Sequence, residues 1–198
     1  MNSKQKKAEP ADYSSLGLGG LKLEQLRPLD LIAPNFRFYE LTHSDLAERL
    51  GIDNRFPGPA EMTAAVYLTR KVLQPIRDEF GPITPKSVFR SQQLDRVLKR
   101  KPSSWISTSR HTAGAACDIA VVGLPTITLA RWAAANLQRF DQISCECYDP
   151  VKGPNSGWVH ISLNRPRHGK NRRELFTYLR DPEIGAMRYV RGLHEDFP

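Results

Sequence analysis

The chain has 198 residues, with 29 Lys and Arg against 21 Asp and Glu and a formal net charge of +8. That length suits one domain with a core of its own, no apolar run is long enough to cross a bilayer, and three cysteines are too few for a disulfide framework. The positive charge favours polyanionic partners in general, but no nucleic-acid-binding motif of the usual kinds is present, so nucleic acid is not an expected partner.

In chain order, residues 1–34 form a polar arm punctuated by Gly and Pro, with one short amphipathic piece from Leu21 to Leu26. The arm carries too little apolar surface for a core and reads as a leader. Its basic start, Met1 to Lys7, has no apolar stretch behind it and lacks the form of a secretory signal. The domain is expected over residues 35–165. Thr42 or Ser44 caps a short helix that Gly51 stops. The strongest helical pattern runs over 60–80, where Met62, Val66, Leu68, Val72, Leu73, Ile76 and Phe80 recur three to four apart. Pro75 is a candidate kink, and Gly81-Pro82 ends the pattern.

Strands are predicted over 87–90, 115–122, 142–148 and 157–163, with an Ala- and Leu-rich helix over 126–138. Residues 166–198 read as a basic extension with a helix near 172–179. Helices first and a small sheet later predict an α+β domain, a small antiparallel sheet with helices packed on one face.

Strand alternation sorts the polar groups, because side chains two apart share a face. Cys117, Ile119 and Val121 fall on one face of the second strand and Ala116, Asp118 and Ala120 on the other. In the third strand, Ile143, Cys145 and Cys147 oppose Gln142, Ser144 and Glu146. In the last, Val159, Ile161 and Leu163 oppose Trp158, His160 and Ser162. The apolar faces are expected to pack on the helices and to take all three cysteines into the core as small hydrophobes. The other faces present Asp118, Glu146 and His160 among small residues that leave room above them.

His111 lies in the loop before the second strand, seven residues ahead of Asp118, and Gly114 lets that loop turn back. Two imidazoles and a carboxylate, His111, His160 and Asp118, are the ligand set of a catalytic zinc site with an open fourth position. The competing reading makes His111 a surface loop histidine and His160 a satisfied strand histidine. Glu146 suits the base that takes a proton from attacking water and passes it to the leaving amine, or is an ordinary edge-strand glutamate; Asp149, before Pro150, is the weaker candidate. Arg90 is placed to polarise a scissile carbonyl or hold a substrate carboxylate, or to make a surface ion pair. Ser109 contacts substrate or caps its loop, and Trp158 walls a pocket or simply packs.

The run Ser109-Arg110-His111-Thr112-Ala113-Gly114-Ala115-Ala116-Cys117-Asp118 resembles the Ser-x-His-x-x-Gly-x-Ala-x-Asp signature of the zinc D-Ala-D-Ala carboxypeptidases and related phage peptidoglycan peptidases, which share a fold with the hedgehog signalling domain. Phe89-Arg90-Ser91-Gln92-Gln93-Leu94-Asp95 resembles that family's arginine segment, and Asp141 to Glu146 and Trp158 to Ser162 its last two strands. The stretch from Phe36 through Gly51-Ile52-Asp53-Asn54 to Gln74-Pro75-Ile76-Arg77 is similar to the phage-type branch. The resemblance implies Zn2+ on His111, Asp118 and His160, with Arg90 as substrate or transition-state contact. Many members place the acid three residues before the last histidine, where this chain has Gly157; the phage-type branch implies Glu146 instead.

The resemblance also implies a peptidase acting on bacterial peptidoglycan. It would be made in the host cytoplasm and act at the cell wall as an endolysin or as part of a virion. The arm and the basic extension are the natural places for contact with other virion or tail proteins. The alternative is a virion structural or wall-binding protein that keeps the fold without turnover.

Overall fold

The helical pattern expected over 60–80 forms one rod in three parts. An α-helix over Pro59–Leu68 (α2, after the short α1 of Asp45–Leu50) passes through a π-turn over Thr69–Leu73 into a second α-helix over Gln74–Phe80 (α3). Pro75 has no N–H to close a regular helical bond, and the wider turn directly before it absorbs that mismatch. The middle of the rod is enclosed on every side, residues 63–69 all being buried, and Ala65, Val66, Leu68, Val72, Leu73 and Ile76 have no exposed surface, as expected of a helix at the centre of a core. The coordinates are a computed structural model, and the residues described are 22–164, 169–181 and 183–196.

Around the rod, α1 is built as its sequence dictates. The Ser44 hydroxyl accepts from the Ala47 N–H, and Gly51 ends the helix in the left-handed conformation. A small hairpin precedes it, β1 (Leu31–Ala33) against β2 (Phe36–Arg37). Leu23, Ile32 and Ala33 are buried in the core, so the end of the stretch read as a polar arm packs with the domain. Residues 1–21 lie outside the described part of the chain. The Arg90 segment leads into α4 (Gln92–Leu98), capped by Ser91.

The five-stranded sheet has the order β3 (Ala116–Ile119), β5 (Trp158–Ser162), β4 (Gln142–Glu146), β6 (Glu174–Arg180), β7 (Met187–Arg191). The first three strands pair antiparallel, as expected. The last two were not foreseen: the segment read as a helix over 172–179 is strand β6, parallel to β4, and β7 pairs antiparallel beyond it. Ser87–Arg90 contributes a single bridge, Ser87 to Asp118, in place of a full strand.

Helix α5 (Thr126–Asn136) and the rod cover the apolar side of the sheet, where Cys117, Ile119, Ile143, Cys145, Val159, Ile161 and Leu179 are buried. Cys117 and Cys145 follow the expected alternation, but Cys147 does not. The strand stops at Glu146, and Cys147, with φ of 51°, turns out of the sheet and is exposed.

Asp141 clamps this arrangement. Its fully buried carboxylate accepts from the Arg172 backbone N–H at 3.0 Å, from Arg172 Nε and Nη2 at 3.1 and 2.7 Å, and from Arg110 Nη2 at 3.3 Å. It therefore ties the approach to β6 to the turn that carries His111. Burial opposes ionisation, but the Arg172 hydrogen bonds and charge outweigh it and hold the Asp141 pKa below the usual carboxylate range. We expect Asp141→Asn to cost about 2 kcal/mol in denaturant unfolding at neutral pH, the loss typical of hydrogen bonds to a charged group. A lowered native pKa contributes stability above the unfolded carboxylate value, and that stability is lost as the pH falls through the native one. The gap between wild type and variant should therefore close below about pH 4.

Candidate metal centre

His111 is presented by a short 3-10 turn, Arg110–Ala113, whose first N–H groups are met by Ser109: its Oγ accepts from the His111 N–H at 3.3 Å. The turn ends at Gly114 with φ of 65°, where a Cβ would lie 2.2 Å from the Glu61 carbonyl oxygen. Only glycine lets the chain double back so closely against α2. Asp118 and His160 come from directly paired positions of β3 and β5. Ser144 is His160's partner on the other side, in β4. Local turn chemistry and strand register thus bring together residues 49 apart in sequence.

The three side chains converge. His111 Nε2 lies 3.2 Å from Asp118 Oδ1 and 3.3 Å from His160 Nδ1, and His160 Nδ1 lies 2.9 Å from Asp118 Oδ1. His111 Nδ1 is 2.8 Å from the Val88 carbonyl. A carbonyl only accepts, so the proton resides on Nδ1 and Nε2 keeps its lone pair for the centre. His111 and Asp118 are buried, and His160 is partly so. Burial pushes the His111 pKa below the ordinary imidazole value. Burial alone would raise that of Asp118, but the charge and hydrogen bonding of the imidazoles in their protonated forms, His111 before His160, hold it far below the usual carboxylate range; a divalent cation between them would take the place of those protons. A neutral imidazole and an ionised carboxylate are the protonation states that a divalent cation requires.

The spacing suits zinc. Bonds of about 2.0–2.1 Å at tetrahedral angles separate ligand atoms by roughly 3.3 Å, close to the separations found here. The cysteines take no part. Burial pushes the Cys145 thiol up to about 12 and the Cys117 thiol well above its usual value, and both lie on the core side of the sheet.

Arg90 sits behind the cluster. Its Nη2 donates to Asp118 Oδ2, its Nε to Ser87 Oγ at 2.9 Å, and its Nη1 lies 3.6 Å from Asp95 Oδ1. Asp118 thus turns one oxygen to the histidines and the other to a guanidinium. Asp95 is fully buried, with Oδ2 meeting Ser107 Oγ at 2.5 Å and Lys99 Nζ at 2.9 Å. Sequence reasoning placed Arg90 but passed over Asp95, because a carboxylate in the first turn of a helix reads as an ordinary helix-dipole partner. Arg90, Asp118, Ser87, Lys86 and Trp158 line a groove of about 730 Å³. Ser109 faces a different cavity, of about 600 Å³, with Gln92, Ser107 and Thr112.

Glu146 stands opposite Trp158 in the β4–β5 pairing, one same-face step from the Ser144–His160 pair. The Ser144 hydroxyl donates to Glu146 Oε1 at 2.7 Å, and the Tyr189 hydroxyl lies 2.8 Å from each carboxylate oxygen. Tyr189 was not anticipated, since it belongs to a segment read as a basic tail. Asp149, the weaker base candidate, is engaged locally, accepting from the Val151 N–H at 3.2 Å and pairing with Lys152 at 3.3 Å. Gly157 has φ of 72°, and a Cβ there would lie 2.1 Å from the Glu146 carbonyl oxygen. The position three residues before His160 has no space for a side chain.

These features converge on a known family. The Peptidase M15 family model matches residues 34–162, well over half of the chain. The chain belongs to the Peptidase M15 family. No curated protein matches it. This member of the M15 metallopeptidases carries a His-Asp-His cluster that could hold a metal ion, with Asp118 and His160 on paired strands and His111 on the turn before β3.

Two outcomes test this geometry. Purified protein should hold one zinc per chain by atomic absorption, and His160→Ala should reduce it to background while leaving the circular dichroism spectrum intact. Gly157→Ala should destabilise the fold by more than the roughly 1–3 kcal/mol usual for a strained left-handed non-glycine residue, because the Cβ overlap adds to it; an unchanged melting temperature would show that the β4–β5 connection yields more readily than its geometry implies.

Proposed function

We propose that this M15 peptidase hydrolyses a peptide bond in the stem or cross-bridge of bacterial peptidoglycan. The observation that carries this reading is the convergence of His111 Nε2, Asp118 Oδ1 and His160 Nδ1, all within 4.8 Å of one another, beside a groove and on the same sheet face as Glu146. Zinc, when bound to these three residues, supplies Lewis acidity, polarising the scissile carbonyl and making water a stronger acid.

The remaining chemistry belongs to the protein. Glu146 accepts a proton from the attacking water as the new carbon–oxygen bond forms, and returns it to the amine nitrogen as the carbon–nitrogen bond breaks. Arg90 pairs with Asp118 and orients it, and its charge at the groove attracts the oxyanion that develops on the carbonyl or a substrate carboxylate. Trp158 forms a wall of that groove. Ser109 acts through the turn it caps, holding His111 in place. The phage-type motifs and the net charge of +8 support a lysin acting on an anionic wall, either free or as part of a particle.

The test is mass spectrometry of purified peptidoglycan incubated with the protein, with and without chelator. Chelator-sensitive fragments are expected, and their masses name the bond. Glu146→Gln should retain one zinc and lose turnover by about 10²–10⁴-fold, the range for a general base. Intact walls from several chemistries, with zinc bound, would instead favour a wall-binding role without turnover.

A further inference from the structure

The M15 match ends at residue 162, yet the side chain that grips Glu146 comes from β7. The Tyr189 hydroxyl lies 2.8 Å from both Oε1 and Oε2, and Ser144 Oγ meets Oε1 from the other side at 2.7 Å. Tyr189 is itself held. It is paired with Tyr178 across β6 and β7, with ring centroids 4.6 Å apart and planes at 34°, and Phe176 meets its edge at 6.3 Å. The stack spans β6, so that a residue two strands from β4 reaches a carboxylate on it. Burial, together with the charge and hydrogen bonding of Glu146, pushes the Tyr189 hydroxyl above its ordinary pKa, so it is a donor throughout the neutral range.

We infer that Tyr189 is a positioning residue for Glu146, and that the β6–β7 hairpin thereby completes the reaction site. A glutamate has three side-chain torsions, and proton transfer depends on holding its oxygen within hydrogen-bond reach of the attacking water. Ser144 restrains one oxygen from within the same strand. Tyr189 spans both oxygens from outside it and turns the carboxylate plane to a single orientation. The aromatic stack supplies the stiffness: without Tyr178 and Phe176, an exposed tyrosine at a sheet edge would sample several rotamers.

This inference rests on Glu146 being the base, and the test separates the two. Tyr189→Phe keeps the stacked ring and removes only the hydroxyl. With soluble muropeptides from purified peptidoglycan as substrate, kcat should fall about tenfold, the effect of losing one hydrogen bond to a charged group. KM should stay within about twofold and zinc content at one per chain, since neither groove nor ligands change. In the Glu146→Gln background the same substitution should alter the residual turnover less than twofold, because the two groups act as one unit. A purely structural tyrosine would give equal losses in both backgrounds, which overturns the inference. Wild-type kcat in Tyr189→Phe alongside an inactive Glu146→Gln also overturns it, while leaving Glu146 as the base. Full turnover by Glu146→Gln removes the base reading, and the role of Tyr189 with it. Ser144→Ala provides a second probe from the opposite side, and is expected to lose kcat with unchanged zinc.

Discussion

Asp118 meets two opposed demands with its two oxygens, and the rest of the site is arranged around that division. Oδ1 faces the histidine nitrogens, and Oδ2 takes the Arg90 guanidinium. Asp118 is almost wholly enclosed, so an unpaired charge there would be costly. Its backbone is fixed as well: its N–H donates to the Ser87 carbonyl at 2.8 Å, and its carbonyl accepts from the Lys86 N–H at 2.8 Å. The segment that brings Arg90 is thus stitched to the strand that brings Asp118. Val88, between them, supplies the carbonyl that sets the His111 tautomer. One short segment, 86–90, therefore orients two of the three candidate ligand side chains.

Behind Arg90 the polar network continues inward. Asp95 and Ser107 are buried and Lys99 reaches Asp95 from the surface, and in this group Asp95 Oδ1 has no hydrogen-bond partner of its own. It faces Arg90 Nη1 at 3.6 Å, too long for a hydrogen bond but close enough for a strong charge interaction at low dielectric. Arg90 is thereby held between two carboxylates, one belonging to the metal cluster and one to α4. A guanidinium suits this position better than an ammonium, because its planar fork serves several acceptors at once.

Much of this was legible in the chain because a strand alternates strictly. Asp118, Ser144, Glu146 and His160 could be assigned to one face from their spacing alone, and the pairing of Asp118 with His160 and of His160 with Ser144 follows that assignment. The same rule failed at Cys147, where the strand ended one residue earlier than its apolar pattern. It failed more broadly at β6. There Leu175 and Leu179 face the core while Phe176 and Tyr178 occupy the opposite face, so both faces are apolar and the alternation disappears; in a basic context the run reads as a helix. Asp141 was equally hidden, since its arginine partners lie 31 residues away on either side. Long-range ion pairs leave no local pattern in a sequence.

Backbone space excludes a side chain three residues before His160. The resemblance implies an acid three residues before the last histidine in many members, but here the turn into β5 passes so close to β4 that a Cβ at Gly157 would overlap the backbone of Glu146 and Cys147. The tight approach and the left-handed φ together confine that position to glycine. The base proposed above, Glu146, stands on the neighbouring strand directly beside the obstructing contact, on the same sheet face as Ser144 and His160. A base on β4, as proposed, also differs in what must hold it. A residue on the β5 turn would be restrained by the turn itself, whereas Glu146 stands on the last position of a strand whose next residue already leaves the sheet. Ser144 holds one of its oxygens from within β4, and Tyr189 of the stacked pair on β6 and β7 meets both from across the sheet.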